Sequence, residues 1–412
     1  MKNVAFTICA KNYLAQALTL KESYNRHNDG NFFIFLADEI SSETIDIGGL
    51  IQLDMEWIPK WKEMAFKYDV VEFSTAIKPF CFQYLFDKGY DKVVYLDPDT
   101  YVANNFSPIW ETLESKSVML TPHFYQIKEH FDGAVGDNAI LGQGVFNLGF
   151  GAIRNTEIGR RLVKWWMCKL QDQCYVESSE GMFVDQKWMN FAPIFFPNDV
   201  EISHNPGINV AIWNLHEREL LIENEKYYIE AIDGVKVPLT LFHFSGFDPF
   251  EHKVINRRHP QYNVDTYPSF KPIIEEYRKA IYTNGYDKYS KMTYSFSTFN
   301  NGENIIVMQR RMFRKYVERG NPFVNPFDIN DTFYQLLKKH HCLTKVFSSN
   351  IRASKETKTK ASKIETKFLI PIAKFLKKIL GIRWYFYFVR YATNFRKPEY
   401  HMFLIEEKRN DT

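Results

Sequence analysis

Cysteine is scarce in this chain: Cys9, Cys81, Cys168, Cys174 and Cys342 are the only five in 412 residues. The number is odd and no two stand at Cys-x-x-Cys spacing, which excludes a disulfide framework or a zinc module as the organising device. Cys9 and Cys81 lie among apolar neighbours and read as small core residues. Long apolar runs are missing too. Nowhere do about 18 uncharged apolar residues follow one another, so no transmembrane helix is expected. Near the N-terminus, Lys11 and Asn12 interrupt the apolar run before it resembles a signal peptide. Together these absences predict a cytoplasmic protein. No internal repeat is visible. The overall charge is only +3, but it is unevenly spread. Residues 351–397 hold 13 of the 52 Lys and Arg and 2 of the 49 Asp and Glu, which leaves the rest of the chain at −8. A polyanionic partner is therefore expected for that segment alone. With an acidic main body and no recognisable nucleic-acid module, nucleic acid is not an expected partner.

What is present is ample material for a core, with 45% hydrophobic and 17% aromatic residues. The length exceeds one typical core and predicts more than one unit. Val4–Cys9 reads as a first strand, Tyr13–His27 as a helix and Phe32–Leu36 as a second strand. Ser74 suits a helix N-cap, and a helix over Lys78–Asp87 ends at Gly89. A strand over 92–97 follows. This alternation predicts an α/β protein with a mixed, mostly parallel sheet flanked by helices. Further strands are expected at Val118–Thr121, Val145–Ile153 and Leu239–Phe244. Further helices are expected at Thr156–Leu170, Tyr267–Tyr282, Ile305–Arg319 and Thr332–His341. Residues 351–365 read as an exposed linker or solvated helix. Lys367–Leu380 mixes lysines with bulky apolar residues at helical spacing.

The strand Lys92-Val93-Val94-Tyr95-Leu96 delivers Asp97-Pro98-Asp99 at its carboxyl end, where open α/β sheets bind ligands. Two carboxylates one residue apart repel each other unless a cation sits between them. A hard divalent ion such as Mg²⁺ or Mn²⁺ suits their oxygens and leaves room for phosphates. A plain Asp-Pro turn is the competing reading. Four other segments bear on the choice. Phe146-Asn147-Leu148-Gly149 puts a glycine and an amide into an apolar strand, the pattern of a close approach or a kink. Asp185-Gln186 are adjacent polar groups in an apolar stretch. His243 ends a strand and is followed by Phe244-Ser245-Gly246, which suits a metal ligand or a satisfied core histidine. Asn205–His216 is rich in amides and aromatics, which suit sugar hydroxyls and sugar faces.

In this order the segments resemble GT-A-type glycosyltransferases, and in particular glycosyltransferase family 8 and its bacterial relatives in surface-polysaccharide synthesis. The resemblance covers residues 3–260. It implies a GT-A, Rossmann-like catalytic domain over residues 1–265; beyond it, the residues themselves read as a helical extension over 266–350 and a basic, aromatic, amphipathic segment over 351–412. It implies Asp97, Asp99 and His243 as metal ligands, with Asp97 also facing the donor. Asn147 would lie near the donor sugar, and Asp185 and Gln186 at its reacting face. Asn12 and Tyr13 fall where the nucleotide base is held, and Lys78 where a basic residue lies near the donor. Gly246 and Lys253 fall at the phosphates. Two departures stand out. The first loop carries Ala10-Lys11 instead of an acidic residue, and Phe247-Asp248-Pro249 replaces a Lys-Pro-Trp.

The function so implied is metal-dependent transfer of a hexose from a nucleotide diphosphate sugar, UDP-linked, to a saccharide or lipid-linked saccharide acceptor, with retention of configuration. Charge on the leaving diphosphate would be neutralised by Mn²⁺ or Mg²⁺. Lys367–Arg396, with Trp384, Tyr385, Tyr387 and Tyr391, reads as an interfacial helix on an anionic membrane, which would place the protein peripherally on the inner face of the plasma membrane. The alternative is a helix packed on the protein with solvated lysines. A catalytically inactive relative that binds saccharide or scaffolds an assembly is the alternative function.

Overall fold

The computed structural model describes residues 2–42, 44, 46–54, 56–127, 135–344, 370–394 and 398–405. The expected linker over 351–365 and the residues Lys367–Leu369 lie outside them. The chain forms two compact units, Met1–Met64 with Val70–Tyr294, and Ala65–Asp69 with Ser295–Thr412.

The first unit is built on a seven-stranded sheet. From one edge its order is Val200–Ile202, Val118–Leu120, Phe150–Arg154, Lys92–Leu96, Asn3–Cys9, Asn31–Leu36 and Leu50–Gln52. Phe150–Arg154 runs antiparallel to both neighbours, while the other pairings are parallel. This is the mixed, mostly parallel sheet expected from the sequence. Strand Lys92–Leu96 is buried along its whole length, which is why it reads as an unbroken apolar run instead of an alternation. Phe6 on the neighbouring strand meets Phe35, Phe82 and Tyr95 edge to face, with ring centroids 5.4, 5.0 and 5.2 Å away. Such pairs add about 0.5–1.5 kcal/mol each beyond area burial and fix helix Lys78–Asp87 on the central strands.

Two local expectations are corrected. Ser74 does not cap a helix; it lies inside helix Val70–Ala76. The regular strand expected from Val145 begins only at Phe150; before it the chain keeps only an isolated bridge between Phe146 and Pro122, with Asn147 lining the cleft described below. Thr156 does cap its helix, its hydroxyl accepting from Gly159 N at 3.0 Å. Strands Arg218–Glu223, Lys226–Ala231 and Lys236–Pro238 form an antiparallel sheet that the sequence reading passed over. Helix Lys271–Thr283 puts Ile273, Ile274 and Tyr277 into the first unit's core. This unit therefore runs to Tyr294, past the boundary expected at 265.

The second unit has its own aromatic core around Phe66, Phe313 and Phe333. Helix Val307–Glu318 carries Arg310, whose buried guanidinium donates to the carbonyls of Ala65, Phe66, Tyr68 and Phe296. Asp331 caps helix Thr332–Lys339, accepting from Phe333 N at 3.0 Å. Helix Ile370–Asn394 is broken at Gly381, where φ is 71°.

Candidate active site

The order of strands around Asn3–Cys9 determines where a ligand can sit. The chain places Asn31–Leu36 on one side of this strand and Lys92–Leu96 on the other. A crevice therefore opens at their carboxyl ends. A cleft of about 440 Å³ lies there, reached by Asn12, Tyr13, Asp97, Asp99, Asn147 and Gln186, among others.

Asp97 and Asp99 follow directly from the strand before them. His243 is brought to them by a second, two-stranded ladder that pairs Thr100–Val102 with Leu241–His243, His243 opposite Thr100. Phe244 N donates to Asp99 O at 2.8 Å and locks the register. His243 Nε2 lies 3.3 Å from Asp99 Oδ1 and 3.7 Å from Asp97 Oδ2. Ligand atoms of the three residues lie within 4.8 Å of one another. Burial works against a charge on His243, but Asp99 and Asp97 outweigh it and hold its pKa above the ordinary histidine value. Burial likewise opposes charge on Asp99, and the neighbouring His243 outweighs it and holds that carboxyl low.

The residues behind the trio orient it. Tyr95 donates its hydroxyl to Asp97 Oδ1 at 2.6 Å, leaving Oδ2 toward the histidine. His243 Nδ1 donates to Asn209 Oδ1 at 3.3 Å, so the neutral ring carries its lone pair on Nε2, facing the carboxylates. Asn209 is fully buried with φ at 59°, a conformation asparagine tolerates better than most residues. Its amide donates to Thr121 Oγ1 at 2.9 Å and to Asn147 Oδ1 at 3.1 Å.

Asn147 is held from the other side as well. His123 is buried, and that burial pushes its pKa down to about 4, so the ring is neutral. Its Nδ1 donates to Val145 O at 3.1 Å and its Nε2 accepts from Asn147 Nδ2 at 3.5 Å. Gln186 Oε1 accepts from Leu148 N at 3.3 Å, and its amide donates to Gln143 O at 3.1 Å. Trp213 stands edge-on to His243 at 5.1 Å. Its indole N–H is buried with no hydrogen-bond partner among the described residues, on a side chain that lines the cleft.

Gly149 shows how tight this arrangement is. A Cβ there would stand 2.5 Å from His243 Nδ1 and 2.9 Å from Asn147 Oδ1. Gly149→Ala is therefore expected to displace the imidazole and weaken Mn²⁺ binding about 10–100-fold, as read by titration of the free-ion electron paramagnetic resonance signal. An unchanged affinity would show that the ring is not held against this backbone.

Asp185 and Gln186 part company. Val184 before them has φ of 40°, a genuine outlier for a β-branched residue and a local cost of about 1–3 kcal/mol. After it, Gln186 faces the cleft, while Asp185 is buried against Lys78. Lys78 also donates to Leu148 O at 2.9 Å and lies 4.0 Å from the centre of the Tyr95 ring. Neither Lys78 nor Asp185 lines the cleft. Lys253 is exposed and away from it, while Arg258 and His259 line it. Gly246 has φ of 68° and turns the chain beside Asn256. Beside the departure at Ala10-Lys11, the buried Asp38 on the next strand's loop accepts from Lys11 N at 3.2 Å.

The residues fit a divalent cation: two carboxylates and one imidazole with its lone pair free, nitrogen favouring Mn²⁺ over Mg²⁺. Asn209, His123, Trp213 and Arg258 were not singled out individually from the sequence. The amide- and aromatic-rich run Asn205–His216 signalled two of them as a group, and nothing local signalled the other two.

No family model matches the chain. The uncharacterized protein YfnF of Bacillus subtilis strain 168 is 27% identical over 264 residues, 60% of this chain and 82% of that one. The galactosyltransferase LgtC, solved in complex with donor and acceptor sugar analogs, is 17% identical, covering 68% of this chain and 95% of that one at a TM-score of 0.42. The glycosyltransferase GlyE of Streptococcus pneumoniae TIGR4 is 17% identical, covering 76% and 74% at a TM-score of 0.38. Both scores fall below 0.5, so a functional reading has to come from the site itself.

Proposed function

We propose that the protein transfers a hexose from a nucleotide diphosphate sugar, UDP-linked, to a saccharide acceptor, with retention, in bacterial surface-polysaccharide synthesis. The observation that carries this is the convergence of Asp97, Asp99 and His243 at the floor of a cleft walled by Asn147 and Gln186. Asp97, Asp99 and His243 would hold Mn²⁺ or Mg²⁺, which as a Lewis acid supplies neutralisation of the diphosphate leaving group. Asn209 keeps Nε2 of His243 available. Tyr95 fixes which oxygen of Asp97 faces the ion. Asn12 and Tyr13 receive the base at the strand end. Gln186, with its amide oriented by Leu148 and Gln143, faces the sugar carbon, which becomes cationic as the bond to phosphate breaks. Asp185 acts from behind the wall by holding Lys78, not by touching the sugar.

A thermal-shift screen of UDP-, GDP- and dTDP-sugars with and without Mn²⁺ tests the reading. A rise in melting temperature that needs both one nucleotide sugar and Mn²⁺ is expected, and no rise with any pair would overturn it. Arg258 takes the phosphate role expected of Lys253. Arg258→Ala is expected to raise KM for the donor about tenfold or more with a smaller effect on kcat, while Lys253→Ala changes neither, as donor titrations would show.

The acceptor is lipid-linked in this reading, and helix Ile370–Asn394 rests on an anionic membrane. Its Phe375, Ile379 and Trp384 are each more than 60% exposed beside Lys374, Lys377 and Lys378. Among the described residues no helix is long and apolar enough to cross a membrane.

A further inference from the structure

Helix Glu157–Leu170 and the short helix Ala192–Phe195 of the first unit present an aromatic face that the catalytic reading does not use. Ile194 is 71% exposed, Phe195 46% and Phe191 45%. Phe191 stacks on Phe195 at 5.6 Å, and Phe195 meets Trp165 edge to face at 5.2 Å. A soluble surface rarely leaves such a cluster uncovered without a partner. Cations surround it: Arg161 lies over Phe196 and Lys169 over Trp188, each at 5.5 Å, with Lys164 on the same face. The residues lining this depression include no carboxylate.

We propose that this face docks on an anionic lipid bilayer, its aromatic and aliphatic tips entering the interfacial layer while Arg161, Lys164 and Lys169 engage lipid phosphates. Three arguments single out this occupant. A second copy of the same face would set like charges against each other. A saccharide would need side-chain acceptors for its hydroxyls, and the lining offers hydrocarbon and cations. An anionic bilayer satisfies both the apolar tips and the ring of positive charge. The inference is independent of the sugar-transfer reading and of helix Ile370–Asn394, but it would explain how a lipid-borne acceptor arrives. The 3₁₀ helix Gln186–Phe191 starts at the cleft and ends in this patch, a span of about 10 Å.

Cys168 is exposed on the same face and gives a local readout. The full chain would be treated with a membrane-impermeant maleimide, with and without phosphatidylglycerol–phosphatidylethanolamine vesicles, and the Cys168 and Cys342 peptides followed by mass spectrometry. Anionic vesicles are expected to slow labelling of Cys168 at least fivefold, with phosphatidylcholine vesicles having little effect. The exposed-residue variant Ile194→Glu/Phe195→Ser is expected to lose that protection. If the chain sediments with the vesicles but Cys168 labels at its free rate, this face does not bind lipid and the proposal fails. Protection that appears without lipid and rises with protein concentration would instead make the face an interface between copies, and would equally overturn it.

Discussion

Asp99→Ala is expected to lower sugar transfer by about a thousandfold or more while leaving the unfolding free energy within about 1 kcal/mol of the parent. The two halves of this expectation have different physical origins. The Asp99 side chain touches the buried His243, which keeps Asp97 as a second carboxylate neighbour when Asp99 is removed. Its backbone carbonyl, which accepts from Phe244 N and holds the ladder to Leu241–His243, survives the substitution. Removing one of two neighbouring carboxylates also relieves their mutual repulsion. Under the proposed function, the catalytic loss comes from leaving Asp97 and His243 to hold the divalent ion at the leaving group without Asp99. Nucleotide diphosphate release against Mn²⁺ concentration, set beside chemical denaturation, checks both halves. Retained activity would remove the metal site from the reading.

Lys78→Met is expected to do the reverse, costing about 3–5 kcal/mol of stability as well as activity. Lys78 and Asp185 are both about 2% exposed and pair with each other. Without the ammonium group, the Asp185 carboxylate stays buried with no counter-charge. Burial already pushes the Asp185 pKa up, with Lys78 working against that rise, so the variant's Asp185 would bind a proton more tightly still. An acid whose folded pKa is raised holds its proton in the folded state after the unfolded chain has lost it. Stability then falls as pH rises from the unfolded value, about 4, through the folded one. The variant should therefore lie closer to the parent at pH 5 than at pH 8 in denaturant midpoint. Lys78→Met/Asp185→Leu, which removes both charges, should recover most of the stability, because a buried pair can be replaced by hydrocarbon at little cost. Its activity should stay low, since Tyr95 and Leu148 would still lack the cation that braces them. A double variant as active as the parent would reduce the pair to a structural role.

These two residues also show what could be read from the chain alone. Asp97 and Asp99 were legible because their chemistry is local: a buried strand runs into a doubled carboxylate with no intervening fold. The central strands and the helix over Lys78–Asp87 were legible for the same reason, being continuous apolar or periodic segments. Lys78 and Asp185 were each noticed, but not as a pair, because their contact depends on packing between elements far apart in sequence. Asn209 owes its role to a positive φ and to the ladder that places His243 beside it, neither of which residue types encode. His123 looks like any histidine after a proline until burial strips its charge. The late start of strand Phe150–Arg154 followed the same logic: apolar residues at Phe146 and Leu148 read as a continuous strand, while the backbone there keeps only an isolated bridge, at Phe146.

The ladder that sets His243 opposite Thr100 closes a loop of about 140 residues. On a growing chain, synthesised at about 5–20 residues per second, Asp97 and Asp99 emerge roughly ten seconds ahead of the histidine. Throughout that interval the nascent polypeptide carries Asp97 and Asp99 without His243, and lacks the strand that brings this histidine to them. Products ending before residue 243 lack the residue that completes the Asp97, Asp99 and His243 cluster. The cluster is completed as a late event of biosynthesis, when His243 folds back beside the two aspartates.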